Sequence, residues 1–376
     1  MSGRFMIVVR GPLSDLHLKK DPVCIPTAFS KLGFDSIIVT TKSYVKLNNI
    51  KILELGETFP NIYCCESMKR RICKDFIQVV EALILGVRLF MAIRKVKPNI
   101  VITYSDPLLF PWLFFSRSFL RFKLICKLDW DGIIRYKGVK RACKIMALLM
   151  ASIFCDAQII ESSEAFNRVI SFAPFAKRNL RVIPNGISEE FLQKATNCPY
   201  YEREKVILTV AGVQRYKFLE YLIQAFSILK DRYADYKLRI VGPIIDKKYF
   251  QELNELIERL QLKVIFTGKI SDEDLIKEYL TARVFCLPSS VEGFSIARLE
   301  AMTLGLPVVT TKTGGSEIVK GAGFIVNIGD INGLAKALDA LLKDDALWCE
   351  MSNKAKTIAK QMTWENLVRK ILRLLT

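Results

Sequence analysis

Histidine is almost absent from this 376-residue chain, and His17 is its only one. With one imidazole and no Cys-x-x-Cys pair among the ten cysteines, the spacing of a zinc site is missing. The cysteines stand at 24, 64, 65, 73, 126, 143, 155, 198, 286 and 349. No secretory leader is visible either, since MSGRFMIVVR already reads as a strand. A disulfide framework is therefore not expected, most of the cysteines are read as small core residues, and the expected site of action is the cytoplasm.

A long uncharged apolar run is also lacking, although mean hydropathy is +0.23. The longest stretch with a single acidic charge and little else, PNIVITYSDPLLFPWLFFS (98–116), carries Asp106 at its centre and is interrupted by Pro107 and Pro111. It reads as a strand, a loop and a helix start rather than as a membrane span. Internal repeats beyond an α/β alternation, and low-complexity tracts, are missing too.

What remains is the composition of a folded protein: 51% hydrophobic and 25% charged. The length suits two domains of roughly 150–200 residues. The net charge of +18 is uneven, with 30 Lys/Arg against 16 Asp/Glu in residues 1–200 and 26 against 22 in the rest. The first half is expected to meet something anionic: nucleic acid, acidic lipid or a phosphorylated substrate.

Short β-branched runs alternate with helical patterns throughout. The expected strands are 5–9, 35–40, 50–55, 99–104, 122–128, 157–162 and 180–184, then 205–212, 237–242, 263–268, 283–289, 307–311 and 323–327. Between them, FLEYLIQAFSILKDRY (218–233) sets Leu219, Leu222, Ile223, Phe226 and Leu229 on one helical face. This alternation predicts two parallel-sheet α/β domains. The polar segment KATNCPYYEREK (194–205) reads as the linker, and ligand is expected at the carboxyl ends of the strands.

One stretch, SSVEGFSIARLEAMTLGLPVV (289–309), carries chemistry. Ser295 is the expected N-cap of a helix over 296–304, with Gly305 as its stop and Pro307 beyond. Free N–H groups at Gly293, Phe294 and Ser295 then make a site for phosphate. Glu292 before the turn and Glu300 within the helix can each accept hydrogen bonds from hydroxyls. A diphosphate between two hydroxyl-rich rings, a nucleotide sugar, fits that pattern; the bland alternative is a loop cap and a solvated helix residue.

EGFSIARLE, followed by AMTLGLPVV and TGGSEIV, resembles the retaining family-4 glycosyltransferases of the GT-B fold. RVIPNGISEEF (181–191), TVAGVQRYKFLEYLIQAF (209–226), LRIVGP (238–243), VIFTGKISDEDL (264–275) and MTWENLVRKIL (362–372) are similar to further family segments in the same order. The likeness is good over 155–376 and weak before. It implies two Rossmann-like domains facing across a cleft: an acceptor-binding domain (1–193), a linker (194–204), a nucleotide-sugar domain (205–361), and a C-terminal helix (362–376) that is a candidate to cross back.

Carried over by position, the resemblance implies that Glu292 binds donor-sugar hydroxyls, Glu300 the ribose, and the amides of Gly293, Phe294 and Ser295 the diphosphate. Lys217 would neutralise the departing diphosphate. The family's partner arginine has Gly212 at its spacing, so Arg215 is the candidate substitute. Backbone around Gly268 and Ile270 would meet the base, and Gly314 would shape a turn beside the donor. Transfer would proceed with retention, without metal or other cofactor.

The first half departs from the family. Where a histidine often follows the fifth strand, this chain has KLDWDG (127–132). Asp129 is the candidate base or hydroxyl ligand and Asp131 an acceptor ligand, against the alternative of a turn and a helix cap. The glycine-rich first loop is reduced to Gly11, and His17 within it reads as a solvated or acceptor-loop residue. KRRICK (69–74), RKVK (94–97) and PWLFFSRSFLRFK (111–123) combine cations with Trp112, Phe114, Phe115, Phe119 and Phe122, which suggests docking on an anionic membrane to reach a lipid-linked acceptor. No nucleic-acid recognition module is visible. The expected activity is hexosyl transfer from a nucleotide sugar to an acceptor hydroxyl. The rivals are a soluble enzyme acting on a free sugar or sugar phosphate, and a non-catalytic donor-binding scaffold.

Overall fold

A computed structural model describes residues 3–14, 20–56, 69–104, 109–135, 138–195 and 200–375, without the side chains of 69–79 and 139–140. His17, Asp106 and Pro107, and the side chains of KRRICK, lie outside the described residues. The chain divides into two compact units, 1–161 with 165–183 and 364–376, and 162–164 with 184–363.

The first unit holds seven strands: β1 (Gly3–Val8), β2 (Phe34–Thr40), β3 (Lys51–Glu54), β4 (Ile100–Tyr104), β5 (Lys123–Leu128), β6 (Ala157–Ile160) and β7 (Leu180–Val182). They form one parallel sheet in the order β3-β2-β1-β4-β5-β6-β7. The second unit holds β8 (Val206–Val210), β9 (Lys237–Val241), β10 (Val264–Gly268), β11 (Val284–Leu287), β12 (Val308–Thr311) and β13 (Gly323–Val326), parallel in the order β10-β9-β8-β11-β12-β13. Eleven of the thirteen fall within a run expected to be a strand, and β1 and β2 overlap theirs but begin two residues and one residue earlier.

Parallel sheets are covered on both faces, so their central strands are apolar on both. In β1, Met6 and Val8 join one core with Leu85, Leu89 and Leu148 from helices Lys69–Val96 and Gly138–Phe154. Phe5 and Ile7 point the other way, to Ile25 and Phe29 of helix Asp21–Lys31. The second unit repeats the scheme: Val284 and Cys286 face Leu222 and Leu338, while Phe285 and Leu287 face Leu299 and Met302. Burying each such side chain contributes roughly 1.5–3 kcal/mol.

The boundary between the units lies at Ile183/Pro184, ahead of the polar stretch 194–204 that composition marks as a linker. Polarity describes solvent exposure, whereas the unit is set by packing. Ile187 and Phe191 are buried in the second unit's core with Leu208 and Phe285, so residues 184–193 belong there. At the other end, helix Trp364–Arg373 belongs to the first unit, where Leu367, Val368 and Ile371 pack with Phe29.

Candidate active site

In the second unit the chain runs β8, β9, β10 toward one edge and then returns to place β11 against the other side of β8. The carboxyl ends of β8 and β11 therefore flank the point where strand order reverses, the usual ligand crevice of such a sheet. The loops leaving these two strands carry Lys217 and Glu292. Their side chains meet there, Nζ to Oε1 at 2.6 Å, and only 14% and 11% of each is exposed. Ser290 joins the two loops, donating through its N–H and its hydroxyl to the Tyr216 carbonyl, each at 2.9 Å. The Lys217 ammonium also lies 5.1 Å from the Tyr216 ring.

The helix after β11 spans Ile296–Thr303, with Ser295 at its N-cap position but no capping bond from the Ser295 side chain. Among the described residues no protein acceptor takes the N–H groups of Gly293, Phe294 or Ser295. Those donors, with the positive end of the helix behind them, remain available to an anion. Next to them, Glu292 is compensated by Lys217, which is how a carboxylate sits at an anion-attracting helix start.

Gly314 and Gly315, after β12, hold this loop from behind. A Cβ at Gly314 would lie 2.3 Å from the Gly293 carbonyl oxygen, and Gly315 has φ +75 with Phe294 pressed against it. Only glycine satisfies both demands. Arg298 completes the arrangement: its side chain is fully buried, and Nη2 donates to the Gly314 carbonyl. Its Nε and Nη1 have no hydrogen-bond partner among the described residues. Burial draws the guanidinium down to about 10, opposed by Glu292 and then Glu317 and Glu164. At neutral pH it is a cation set behind the Glu292 loop. Sequence reasoning passed over Arg298, since an arginine in a helix ordinarily reaches solvent.

Glu300, the other half of the acidic pair, accepts a hydrogen bond from the hydroxyl of fully buried Tyr279 at 3.0 Å. Burial, then Glu300, pushes that phenol well above its ordinary range. Tyr279 therefore stays a donor and fixes the carboxylate. Gly268, at the end of β10, has φ +70 and an exposed approach, and Ile270 is half-buried just beyond. Arg215 is not gathered with Lys217 and Glu292: it bonds Glu252 at 2.7 Å, lies 3.7 Å from Asp246 and covers the Tyr249 ring.

In the first unit the candidates lie at the carboxyl ends of the central strands. Gly11 follows β1, and its carbonyl accepts the Thr40 hydroxyl at 2.5 Å. Asp131 accepts from the Ile133 N–H at 3.0 Å and pairs with Arg135, the arrangement of a turn cap. Asp129, just past β5, is exposed. Desolvation and then Asp21 raise its carboxyl above the ordinary range, against Lys127 and Lys20.

Behind Asp129 lies a constellation with no signal in the sequence. Buried Lys127 on β5 contacts Glu161 at 2.6 Å and Asp21 at 3.0 Å, and the Tyr104 hydroxyl at the end of β4 donates to Asp21 at 3.2 Å. Burial alone would push the Lys127 ammonium down, but Glu161 and Asp21 outweigh it and hold it above its ordinary value. The members come from residues 21, 104, 127 and 161, and only the strand order brings them together.

Residues 195–375 match the family model for glycosyl transferases group 1. This region of the chain carries the pattern of that family. An uncharacterised glycosyltransferase from Haemophilus influenzae is 24% identical over 351 residues, 92% of each chain. A D-inositol 3-phosphate glycosyltransferase from Corynebacterium urealyticum is 33% identical over 262 residues, 65% of this chain and 61% of that one. HepE from Anabaena, solved with UDP-glucose, superposes with a TM-score of 0.71 at 16% identity over 99% of both chains. At that identity the likeness speaks for the GT-B fold. The matched residues up to 363 lie on the unit that holds Lys217 and Glu292, and those from 364 onward on the first unit.

Proposed function

We propose that the protein moves a hexose unit from a nucleotide-sugar donor to an acceptor hydroxyl, with retention of anomeric configuration and without a metal ion. The observation that carries this reading is the Lys217–Glu292 pair beside the unpartnered amides of residues 293–295, at the strand-order reversal of a glycosyl transferases group 1 unit. HepE, which shares the fold, holds UDP-glucose.

In this reading the amides of Gly293, Phe294 and Ser295 bind the diphosphate, and Lys217 balances the charge that grows on it as the glycosidic bond breaks. Oriented donors and a cation on a leaving diphosphate lower the barrier most where they are already in place. Glu292 binds donor-sugar hydroxyls and steadies the oxocarbenium-like centre, Glu300 binds the ribose, and Gly268 and Ile270 border the base. Each charged hydrogen bond to a hydroxyl contributes about 1.5–3 kcal/mol. Retention follows if the acceptor attacks from the face the diphosphate leaves. Arg215 would have to leave Glu252 to reach the donor, so its part is conditional on that exchange.

The first unit takes the acceptor. Asp129, exposed and raised, binds the acceptor hydroxyl or receives its proton, with Gly11 and Asp131 shaping the approach. A lipid-linked acceptor suits the surface of this unit described next. The direct test is thermal shift against UDP-, GDP- and ADP-sugars. A donor at a hundredfold excess over its dissociation constant should add about 2.7 kcal/mol. Absence of any shift across the panel would remove the reading.

A further inference from the structure

The outer helices of a doubly wound domain normally show polar residues to solvent and reserve one apolar stripe for the sheet. Three neighbouring helices of the first unit depart from this. Lys69–Val96, Phe110–Phe119 and Gly138–Phe154 each bury an inner face in the same core, through Leu85 and Leu89, Leu113, and Leu148 and Ala151. Each is also apolar on its outer face. Leu83, Val87 and Met91 follow one another at four-residue spacing, and all are exposed. Phe119 is 68% exposed, with Phe115 one turn before it. On the third helix Met146, Ile153 and Phe154 are exposed.

These outer faces are continuous. The Phe90 and Phe115 rings lie 5.4 Å apart, Phe115 and Phe119 4.9 Å, and Phe114 and Phe154 4.3 Å. Of the nineteen exposed large apolar side chains among the described residues, eight belong to these three helices, so the exposure is a patch rather than scatter. The aromatics of PWLFFSRSFLRFK divide accordingly: Phe122 is buried, Trp112 and Phe114 are half-buried, and Phe115 and Phe119 face outward.

Charge around the patch is predominantly positive, Asp75 and Glu81 of the first helix and Asp156 being the acidic residues. Helices 110–119 and 138–154 contain no acidic residue; exposed Arg94 and Lys95 follow Phe90, whose ring meets Phe115, and exposed Arg121 and Lys123 follow Phe119. There a cavity of about 340 Å³ opens between Asn99, Arg117, Arg121, Phe122, Lys123 and Asp156. Arg117 and Lys123 already engage Asp156, at 2.9 and 3.7 Å, while Arg121 has no protein partner among the described residues. No described helix is long and apolar enough to cross a membrane.

We infer that this face docks on the surface of an anionic bilayer, with Phe115 and Phe119 entering the acyl boundary and the Arg121 cavity receiving a lipid phosphate. An apolar face bordered by cations fits that surface and no neutral one, since shallow apolar burial and attraction to acidic headgroups act together. The docking itself does not depend on glycosyl transfer; it rests on the proposed function only in supplying a reason to approach lipid.

The test is co-sedimentation of the full chain with phosphatidylglycerol–phosphatidylcholine vesicles, without donor or acceptor, against phosphatidylcholine alone. Binding is expected to the acidic vesicles only and to weaken as salt rises. Phe115→Ser with Phe119→Ser should reduce it at least about tenfold. Arg94→Gln with Arg121→Gln should cost about fivefold for each charge removed. Ile228→Ser, an equally exposed apolar site in the second unit, should change nothing. The inference is overturned if acidic vesicles bind no better than neutral ones, or if the Phe115/Phe119 and Ile228 variants behave alike. It is also overturned if ultracentrifugation shows a dimer that the phenylalanine variants dissociate, because the face then belongs to a second copy. Donor-induced thermal shifts in the same variants report on the transfer reading separately.

Discussion

The two units share one architecture and arrange their polar groups in opposite ways. Both are parallel sheets with order reversing near the middle, and both concentrate charge at the carboxyl ends of the central strands. In the second unit the charged groups sit at the rim, partly exposed, beside backbone donors that have no protein partner among the described residues. In the first, Lys127, Glu161 and Asp21 satisfy one another out of solvent. A rim leaves its hydrogen-bonding capacity for a ligand, whereas a closed network places a rigid support beneath one exposed carboxylate, Asp129.

That contrast breaks most visibly at Lys127. Replacing it by methionine removes the cation that Asp21 and Glu161 share, and a loss of about 3–5 kcal/mol is expected in the unfolding of the first unit. Calorimetry showing an unchanged first transition would mean the network is not structural. On the second unit, Glu292→Ala and Lys217→Ala should each lower transfer by roughly a hundred- to a thousandfold with the fold intact. Near-normal initial rates in either variant would withdraw the role given to that residue.

Arg298→Leu tests whether the rim depends on a buried prop. The substitution removes one bond to Gly314 and two nitrogens that already lack partners, so the melting temperature should move little. Donor affinity should weaken by about tenfold as the Gly293 loop loses its backing, measured by titration. A large fall in stability with unchanged affinity would make Arg298 a fold residue only.

The smallest effect is expected at Asp21→Asn. Asp21 raises the Asp129 carboxyl, so neutralising it lowers that pKa. If transfer needs Asp129 ionised, the acid limb of the pH–rate profile moves to lower pH. The shift should be opposed by nothing on the alkaline side, and an unmoved limb would take Asp129 out of the reaction.

How much of this was legible in the chain follows from the same contrast. The second unit's rim was readable because its parts are nearly contiguous: Glu292, the amides after it and Glu300 fall within nine residues, and helix periodicity alone sets their relation. Arg298 lies inside that very stretch and still escaped, because a helical arginine is predicted to reach water and only the turn at Gly314 reveals that it does not. Arg215 was legible as a basic loop residue, but its partner Glu252 stands on helix Lys247–Leu260, and no local rule relates the two.

β-Branched runs and their spacing fixed thirteen strands and the α/β class, since a strand buried on both faces must be apolar wherever it lies. The motif and its flanking segments pointed to the family whose pattern residues 195–375 match. Packing alone decided the boundary at Ile183/Pro184, the burial of Lys127 with its carboxylates, and which phenylalanines of 111–123 face outward. Each of these depends on which strands and helices become neighbours, and neighbourhood across more than a hundred residues is a property of the sheet order, not of any segment within it.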